Sequence, residues 1–354
     1  MTMKQITKNI SFFLFLFSAS QTLTNAKQII KDEINCLWIG QSISSKNITI
    51  YPLFDAQKVI KNRKNYTTFT EASKKGWITI KEIGSGTVNT VKIKNSGKKP
   101  VFIRGGSIIT GAKQDRTTKQ HILLPARSGW TEIPVFCVEH HRWNHVSPEF
   151  KSEDLIIPSS LRKTVEETGS QSEVWSHIDC MQKQSGIKSG TGTIVDNYKD
   201  KNTQKELNSY VEDLLFDNLP SSTVGIAVFI DDELIAIELF SSNKLLRKFW
   251  EKLVRSYAMD ASIAKQKKHA TPQLGGALQV QPFLNIAFIE TTLETIKKSP
   301  QTIVANPGLG TLVKLESHRG NGSALINEND ELIHLSYFPN NINLTLRKPL
   351  GSRF

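Results

Sequence analysis

NTVKIKNSGKKPVFIRGGSIITGAKQDR, running from Asn89 to Arg116, decides the fold class. Val91 and Ile93 alternate with Lys92 and Lys94, the period-two pattern of a half-buried strand. Asn95–Lys99 supplies a turn, and Pro100 opens a second apolar run that ends at Gly105 and Gly106. A third run reaches Gly111, and Lys113, Gln114, Asp115 and Arg116 follow at once. Similar short segments lie on either side: ITIYPLF (Ile48–Phe54), WITIKEI (Trp77–Ile83) and EIPVFCVE (Glu132–Glu139), with GSG (Gly84–Gly86) among the turns. Evenly spaced short strands predict an N-terminal antiparallel β-sandwich or partial barrel over residues 36–145.

Beyond Trp143 the pattern changes to helix. SSLRKTVEE (Ser159–Glu167) and SQSEVWSHIDCMQ (Ser170–Gln182) have helical spacing. Ser170 with Glu173, and Thr203 with Glu206, fit capping boxes. From Asn243 to Ala261, Leu246, Phe249, Trp250, Leu253, Val254 and Tyr257 share one face, a core stripe rather than a cofactor box. Two hairpins resemble each other: GIAVFIDDELIAIELF (Gly225–Phe240) and GSALINENDELIHLSYF (Gly322–Phe338). Asp231–Asp232 and Asn329–Asp330 supply their turns. They read as an internal duplication or as two similar edges of one sheet. The whole is therefore α+β, with long amphipathic helices and the paired hairpins in residues 155–340. HATPQLGGALQVQP (His269–Pro282) reads as an irregular connection, and residues 341–354 as a flexible tail.

The 354 residues, 38% hydrophobic and 22% charged, suit a globular chain with a large core. Lys4 and Lys8 precede an apolar run at Ile10–Phe17 and small residues, so residues 1–26 read as a secretory signal peptide cut near Ser18–Ser20 or Thr24–Ala26. The expected location is the periplasm or the extracellular space. That run is shorter than the ~20 residues of a membrane span, and no integral membrane association is expected. The net charge of +12 makes this a basic protein that can meet anionic surfaces or phosphate-bearing ligands. No basic block alternates with aromatics, which excludes nucleic acid as a partner. Of the three cysteines, Cys36 and Cys180 can be drawn as a bridge, and one thiol must then remain.

The candidate chemistry lies in Gly111–Trp143. Lys113 and Arg116 suit phosphate oxygens, Gly111 permits close approach to the main chain, and Gln114 can read an amide or hydroxyl. The competing reading makes Arg116 the partner of Glu139 or Asp115, a brace between strands. Glu139 is the candidate general base, or else the salt-bridge partner of Arg142 or Arg116. Trp143 can stack on a base or ribose, or close a core edge. Cys137 sits among apolar residues as an inert thiol. His140 and His141 fall on opposite faces if strand alternation continues through them. His141 and His145, taken with Glu139, have zinc-like spacing only on a helix, which Pro148 opposes. No metal site and no cofactor is expected, and Walker, nucleophile-elbow and dinucleotide signatures are lacking.

GGSIITGAKQDRTTKQHILLPARSGWTEIPVFCVEHHRW (Gly105–Trp143) resembles the hallmark of the ADP-ribosylglycohydrolase- and rhodanese-phosphatase-associated protein domain family. QSEVW (Gln171–Trp175), SYAMDA (Ser256–Ala261) and both hairpins extend the resemblance over nearly all of residues 36–340. Ser107 departs from it, standing where relatives often carry an acid. The resemblance implies a link to ADP-ribose and NAD-derived metabolites. The expected function is an exported domain that binds or processes such a metabolite, or another phosphate-bearing one, at Gly111, Lys113, Gln114, Arg116, Arg142 and Trp143. The alternative is a non-catalytic exported structural or interaction module.

Overall fold

The computed structural model describes residues 21–55, 66–84, 86–270 and 282–340. A helix over residues 21–35 (α1) precedes β1 (Trp38–Ile39), β2 (Ile43–Ser45) and β3 (Ile48–Phe54). Next come β4 (Thr67–Thr68), α2 (Phe69–Lys74), β5 (Ile78–Lys81), β6 (Thr90–Asn95), β7 (Val101–Ile103), β8 (Ser107–Gly111), β9 (Arg116–Thr118), β10 (Ile122–Leu124), β11 (Thr131–Cys137) and β12 (Phe150–Ile156). Four helices follow: α3 (Ser159–Glu167), α4 (Gln171–Ser185), α5 (Ile194–Lys199) and α6 (Lys201–Asp213). The hairpin β13 (Thr223–Ile230) and β14 (Glu233–Phe240) leads to α7 (Asn243–Ala270) and α8 (Pro282–Lys298). β15 (Gln301–Val304), β16 (Thr311–Ser317), β17 (Gly320–Ile326) and β18 (Leu332–Pro339) complete the order.

The fold is α+β. A nine-stranded sheet runs β1-β3-β13-β14-β18-β17-β16-β15, with β2 added beside β3. The N-terminal strands thus lie against the first strand of the first hairpin. A six-stranded sheet, β12-β8-β9-β11-β6-β5, curls into a nearly closed barrel. Its end strands approach where Lys81 reaches Glu149, just before β12, at 3.0 Å. A three-stranded sheet, β10-β7-β4, shares the barrel core of Val91, Ile93, Val101, Ile103, Ile109 and Val135. Lys92 and Lys94, alternating with Val91 and Ile93, are half-exposed, as the alternation predicts.

Both faces of the nine-stranded sheet are covered. On one side lies the stripe of α7, from Leu246 through Tyr257, packed with α3 and α4. On the other, Ala26, Ile30 and Ile34 of α1 join Ile289, Leu293 and Ile296 of α8 against Tyr51, Leu53 and Phe229. Helix α1 runs through Ala26, which is 3% exposed. A cut after Ala26 would therefore remove part of a packed helix, whereas a cut after Ser20 leaves it whole.

The similar hairpins are neighbours in one sheet, joined second strand to second strand by β14 and β18. Asp231 and Asp232 both take positive φ, +51° and +66°, as a two-residue loop on a right-twisted hairpin requires. Glu238 lies directly opposite Ser336, and these positions also correspond when the two Asp-Glu-Leu-Ile segments are aligned. The pairing is therefore locally two-fold about that point.

Several sequence expectations are corrected. Thr203 does not start α6: Asp200 is the cap, its carboxylate accepting from the Thr203 N–H at 2.8 Å, because the helix begins at Lys201. The Ser170 hydroxyl accepts from Glu173 N–H at 3.4 Å, a one-way cap. Helix α7 continues beyond Ala261 to Ala270. Cys36, Cys137 and Cys180 are all free, so the Cys36–Cys180 bridge is not formed. Residues 1–20, residues 271–281 of the expected connection, and the tail 341–354 lie outside the described residues.

Ile30, fully buried on α1, reports on whether this helix belongs to the core. Ile30→Ala is expected to lower the unfolding free energy by about 2–5 kcal/mol, read by urea denaturation of the full chain.

Candidate functional site

The polar candidates of Gly111–Trp143 meet, but largely inside the protein. Hairpin β8–β9 and the end of β11 bring Asp115, Glu139 and Arg142 together. Arg142 Nε donates to Glu139 Oε1 at 2.8 Å and Nη2 to Oε2 at 2.5 Å. The same Nη2 lies 3.3 Å from Asp115 Oδ1, and the Asp115 N–H donates to Glu139 Oε2 at 2.9 Å. Burial pushes the Glu139 carboxyl up, but hydrogen bonds led by Arg142 outweigh it and hold it below its usual range. Asp115 is raised by burial and by the Glu139 charge, and it accepts from the Thr193 hydroxyl at 2.8 Å. Glu139 is thus a bonded ion rather than an open base.

Arg116 is fully buried and pairs with neither Glu139 nor Asp115. Its nearest carboxylate is Glu82 at 3.6 Å, and Nη1 donates to Gln114 Oε1 at 3.2 Å. Trp143, 43% exposed, covers both Arg116 and Lys113 with ring centres 5.8 and 5.0 Å away. Gly111 has φ +109°, and a Cβ there would lie 2.5 Å from Ser147 Oγ. The close approach is by the protein's own chain. Burial pushes the Cys137 thiol up to about 11, in keeping with an inert group. His140 and His141 are not on opposite faces: the strand ends at Cys137, and their rings stack at 4.3 Å, with Trp175 stacked on His140 at 4.3 Å. Among the described residues no group of three or more His, Cys, Asp or Glu could hold a metal.

A second constellation, missed by the sequence reading, forms around Glu238 in the middle of β14. Arg104, at the end of β7, donates through Nη2 to both carboxylate oxygens at 2.5 and 2.7 Å. Arg162 of α3 donates through Nη1 to Oε1, and the Tyr257 hydroxyl of α7 donates to the same oxygen at 2.8 Å. His334 of β18 faces Oε2 at 2.9 Å. All of these side chains are buried. Burial pushes Glu238 up, and the Arg104 and Arg162 charges overcome it, so the carboxyl is held well below its usual range.

The histidine tautomers follow from the partners. The Gly105 N–H donates to His121 Nδ1 at 2.9 Å, which places the His121 proton on Nε2. That nitrogen faces His334 Nδ1 at 3.2 Å and Ser336 Oγ at 3.2 Å. His334 then donates from Nε2 to Glu238. Both rings are neutral: burial, and the neighbouring His334 and Arg104, hold His121 well below its usual value, and burial brings His334 down to about 4 despite Glu238.

With neutral histidines, one carboxylate answers two guanidiniums, leaving a buried positive surplus. Arg104 Nε and Arg162 Nε have no hydrogen-bond partner. A narrow hollow opens onto this cluster, walled by Arg104, Arg162, His121 and Ser336 with Lys119 and Glu166 at the side. Glu166 is taken up by Lys314 at 2.6 Å, so Lys119 adds to the surplus. The available signal was a single charged or histidine residue inside an apolar strand: FIRG at Arg104, IAIELF at Glu238, LIHLSYF at His334.

The family model described as ARG and Rhodanese-Phosphatase-superfamily-associated Protein domain matches residues 37–338, and the chain belongs to that family. The family is associated with the ADP-ribosylglycohydrolase and rhodanese-phosphatase superfamilies. No curated protein and no solved structure matches the chain. No helix among the described residues is long and apolar enough to cross a membrane.

The cluster fixes how stability responds to acid. His334 binds its proton less readily folded than unfolded, so its contribution is present above pH 6.5 and is lost as pH falls toward about 4. Glu238, also depressed, adds a further loss below its ordinary value of 4.5. The urea midpoint is expected to drop between pH 7 and pH 5, and His334→Gln to flatten that slope. An equal midpoint at both pH values in the wild type contradicts the assignment.

Proposed function

We propose that this chain binds a phosphate-bearing metabolite of the ADP-ribose class, with an anionic oxygen directed at the hollow between Arg104 and Arg162. The observation that carries this is the pair of buried guanidiniums sharing one carboxylate, each with an unpartnered Nε, at a hollow that reaches solvent. A buried positive surplus is costly unless an anion completes it. The hollow takes only a water-sized group, so the rest of such a ligand would lie outside, along Lys119 and the Gly105–Gly106 backbone. The family association is consistent with this ligand class. Ser336 offers a hydroxyl at the same wall, suited to holding a second oxygen or a water.

A second reading is a structural or interaction module without a ligand. It is favoured by the Arg142–Glu139–Asp115 lock, which makes the Gly111–Trp143 stretch a brace between β8, β9 and β11. Export belongs to the first reading as well as the second, and rests on the basic-then-apolar start of the chain.

Calorimetric titration of the full chain with ADP-ribose, ribose 5-phosphate and inorganic phosphate at low salt separates the two. Binding that weakens about tenfold or more in Lys119→Ala and in Arg162→Lys is expected. Absence of binding to the folded wild type removes the first reading. For export, the N-terminus of the secreted protein is expected at or before Gln21, where mass spectrometry finds α1 intact. A start at Lys27 would contradict the packed role of Ala26.

A further inference from the structure

A separate cleft of about 650 Å³ lies between α3, α4 and α7. That is within the range of small-molecule sites, roughly 300–1,000 Å³. Met181, Ile263 and Ala264 supply apolar wall, and Glu173 and Asp260 carry its acidic groups. Neither lysine nor arginine lines it among the described residues. Its chemistry is the reverse of the cationic hollow beside Glu238.

Three helices place reactive groups at one point of this cleft. Ser160 Oγ, in the first turn of α3, donates its hydroxyl proton to Asp260 Oδ1 of α7 at 2.6 Å. It also lies 3.1 Å from His177 Nε2 of α4. Thr164 Oγ1 meets His177 Nδ1 at 2.9 Å and the Ser160 carbonyl at 3.3 Å. When Thr164 donates to that carbonyl, its lone pair accepts Nδ1–H. His177 Nε2 is then an acceptor facing the serine oxygen at 3.1 Å, placed to take the hydroxyl proton once it turns from Asp260. Nucleophile, base and orienting group are thus each within hydrogen-bond reach on rigid elements.

Helix capping alone does not account for this. Asp260 caps α3 by accepting from the Ser160 N–H at 2.9 Å and the Ser159 hydroxyl at 2.5 Å. That role needs no imidazole from α4 turned toward the Ser160 oxygen, and no open cleft beside it.

We propose that Ser160 is an acyl-accepting nucleophile for small uncharged or cationic esters, with His177 as its base. Ser160 Oγ attacks the ester carbonyl carbon while its proton passes to His177 Nε2. The carbon–oxygen bond to the leaving alcohol breaks, and that alcohol takes the proton from His177. Water, deprotonated by His177, then attacks the acyl carbon and frees Ser160, which regains its proton. The acidic lining disfavours anionic substrates, so this activity is independent of the phosphate site.

The test is reaction of the full chain with an alkyl fluorophosphonate, in which Ser160 Oγ displaces fluoride at phosphorus. Peptide mapping is expected to find one adduct, on Ser160, absent from Ser160→Ala. The labelling rate is expected to fall at least about a hundredfold in His177→Gln, the lower side of general-base effects. An unlabelled folded wild type, an adduct on another residue, or an unchanged rate in His177→Gln overturns the proposal.

Discussion

The Glu238 carboxylate accepts from Arg104, Arg162, Tyr257 and His334, and through these bonds it joins parts of the chain that form separately. Arg104 comes from the end of β7 in the small three-stranded sheet, Arg162 from α3, Tyr257 from α7 and His334 from the neighbouring hairpin. A carboxylate this far from water is tolerable only when all its partners are present. The cluster therefore contributes less net stability than its short distances suggest. Its larger effect is on specificity: any arrangement that misplaces one layer leaves a buried charge unanswered. The hollow and its positive surplus follow from the same constraint, because the second guanidinium exceeds what one carboxylate can neutralise.

The architecture was legible where local rules act alone. Lys92 and Lys94 mark the outer face of β6, the paired aspartates mark a hairpin, and the stripe from Leu246 to Tyr257 marks the buried face of α7. The site was not legible, for a physical reason. In a sheet with one wet face, a charged residue in an apolar strand points to water. Here helices and the barrel region cover one face and α1 and α8 the other, so alternation no longer tells inside from outside. Arg104, Glu238 and His334 each interrupt an apolar run and are all fully buried. The conspicuous Lys-Gln-Asp-Arg run turns inward too, with Gln114, Asp115 and Arg116 buried, Asp115 beside Arg142 and Arg116 beside Glu82.

Smaller misreadings share a cause, which is that a local pattern was extended past its element. Alternation through Cys137 would separate His140 from His141. The strand stops there, and the Thr191 carbonyl accepts from both of their N–H groups, at 3.1 and 2.9 Å, which lets the rings stack. Thr203 has the spacing of a cap but Asp200 is three residues earlier and has the stronger acceptor. A bond to a distant segment decided the first, and a better local acceptor the second.

The two-fold pairing of the hairpins explains why the cluster sits where it does. At the centre of such a pairing, corresponding residues face each other, so a symmetric sequence would place two glutamates or two serines in contact. Two buried carboxylates side by side would repel, and two hydroxyls would offer the guanidiniums no counter-charge. The chain avoids both by placing Glu238 opposite Ser336 and by putting His334 where the first hairpin has Ala236. The small Ala236 leaves one side of the centre apolar, while His334 and Ser336 both meet His121 on the other. Breaking the likeness at these positions gives the cluster a direction, from the Gly105 backbone through His121 and His334 to Glu238.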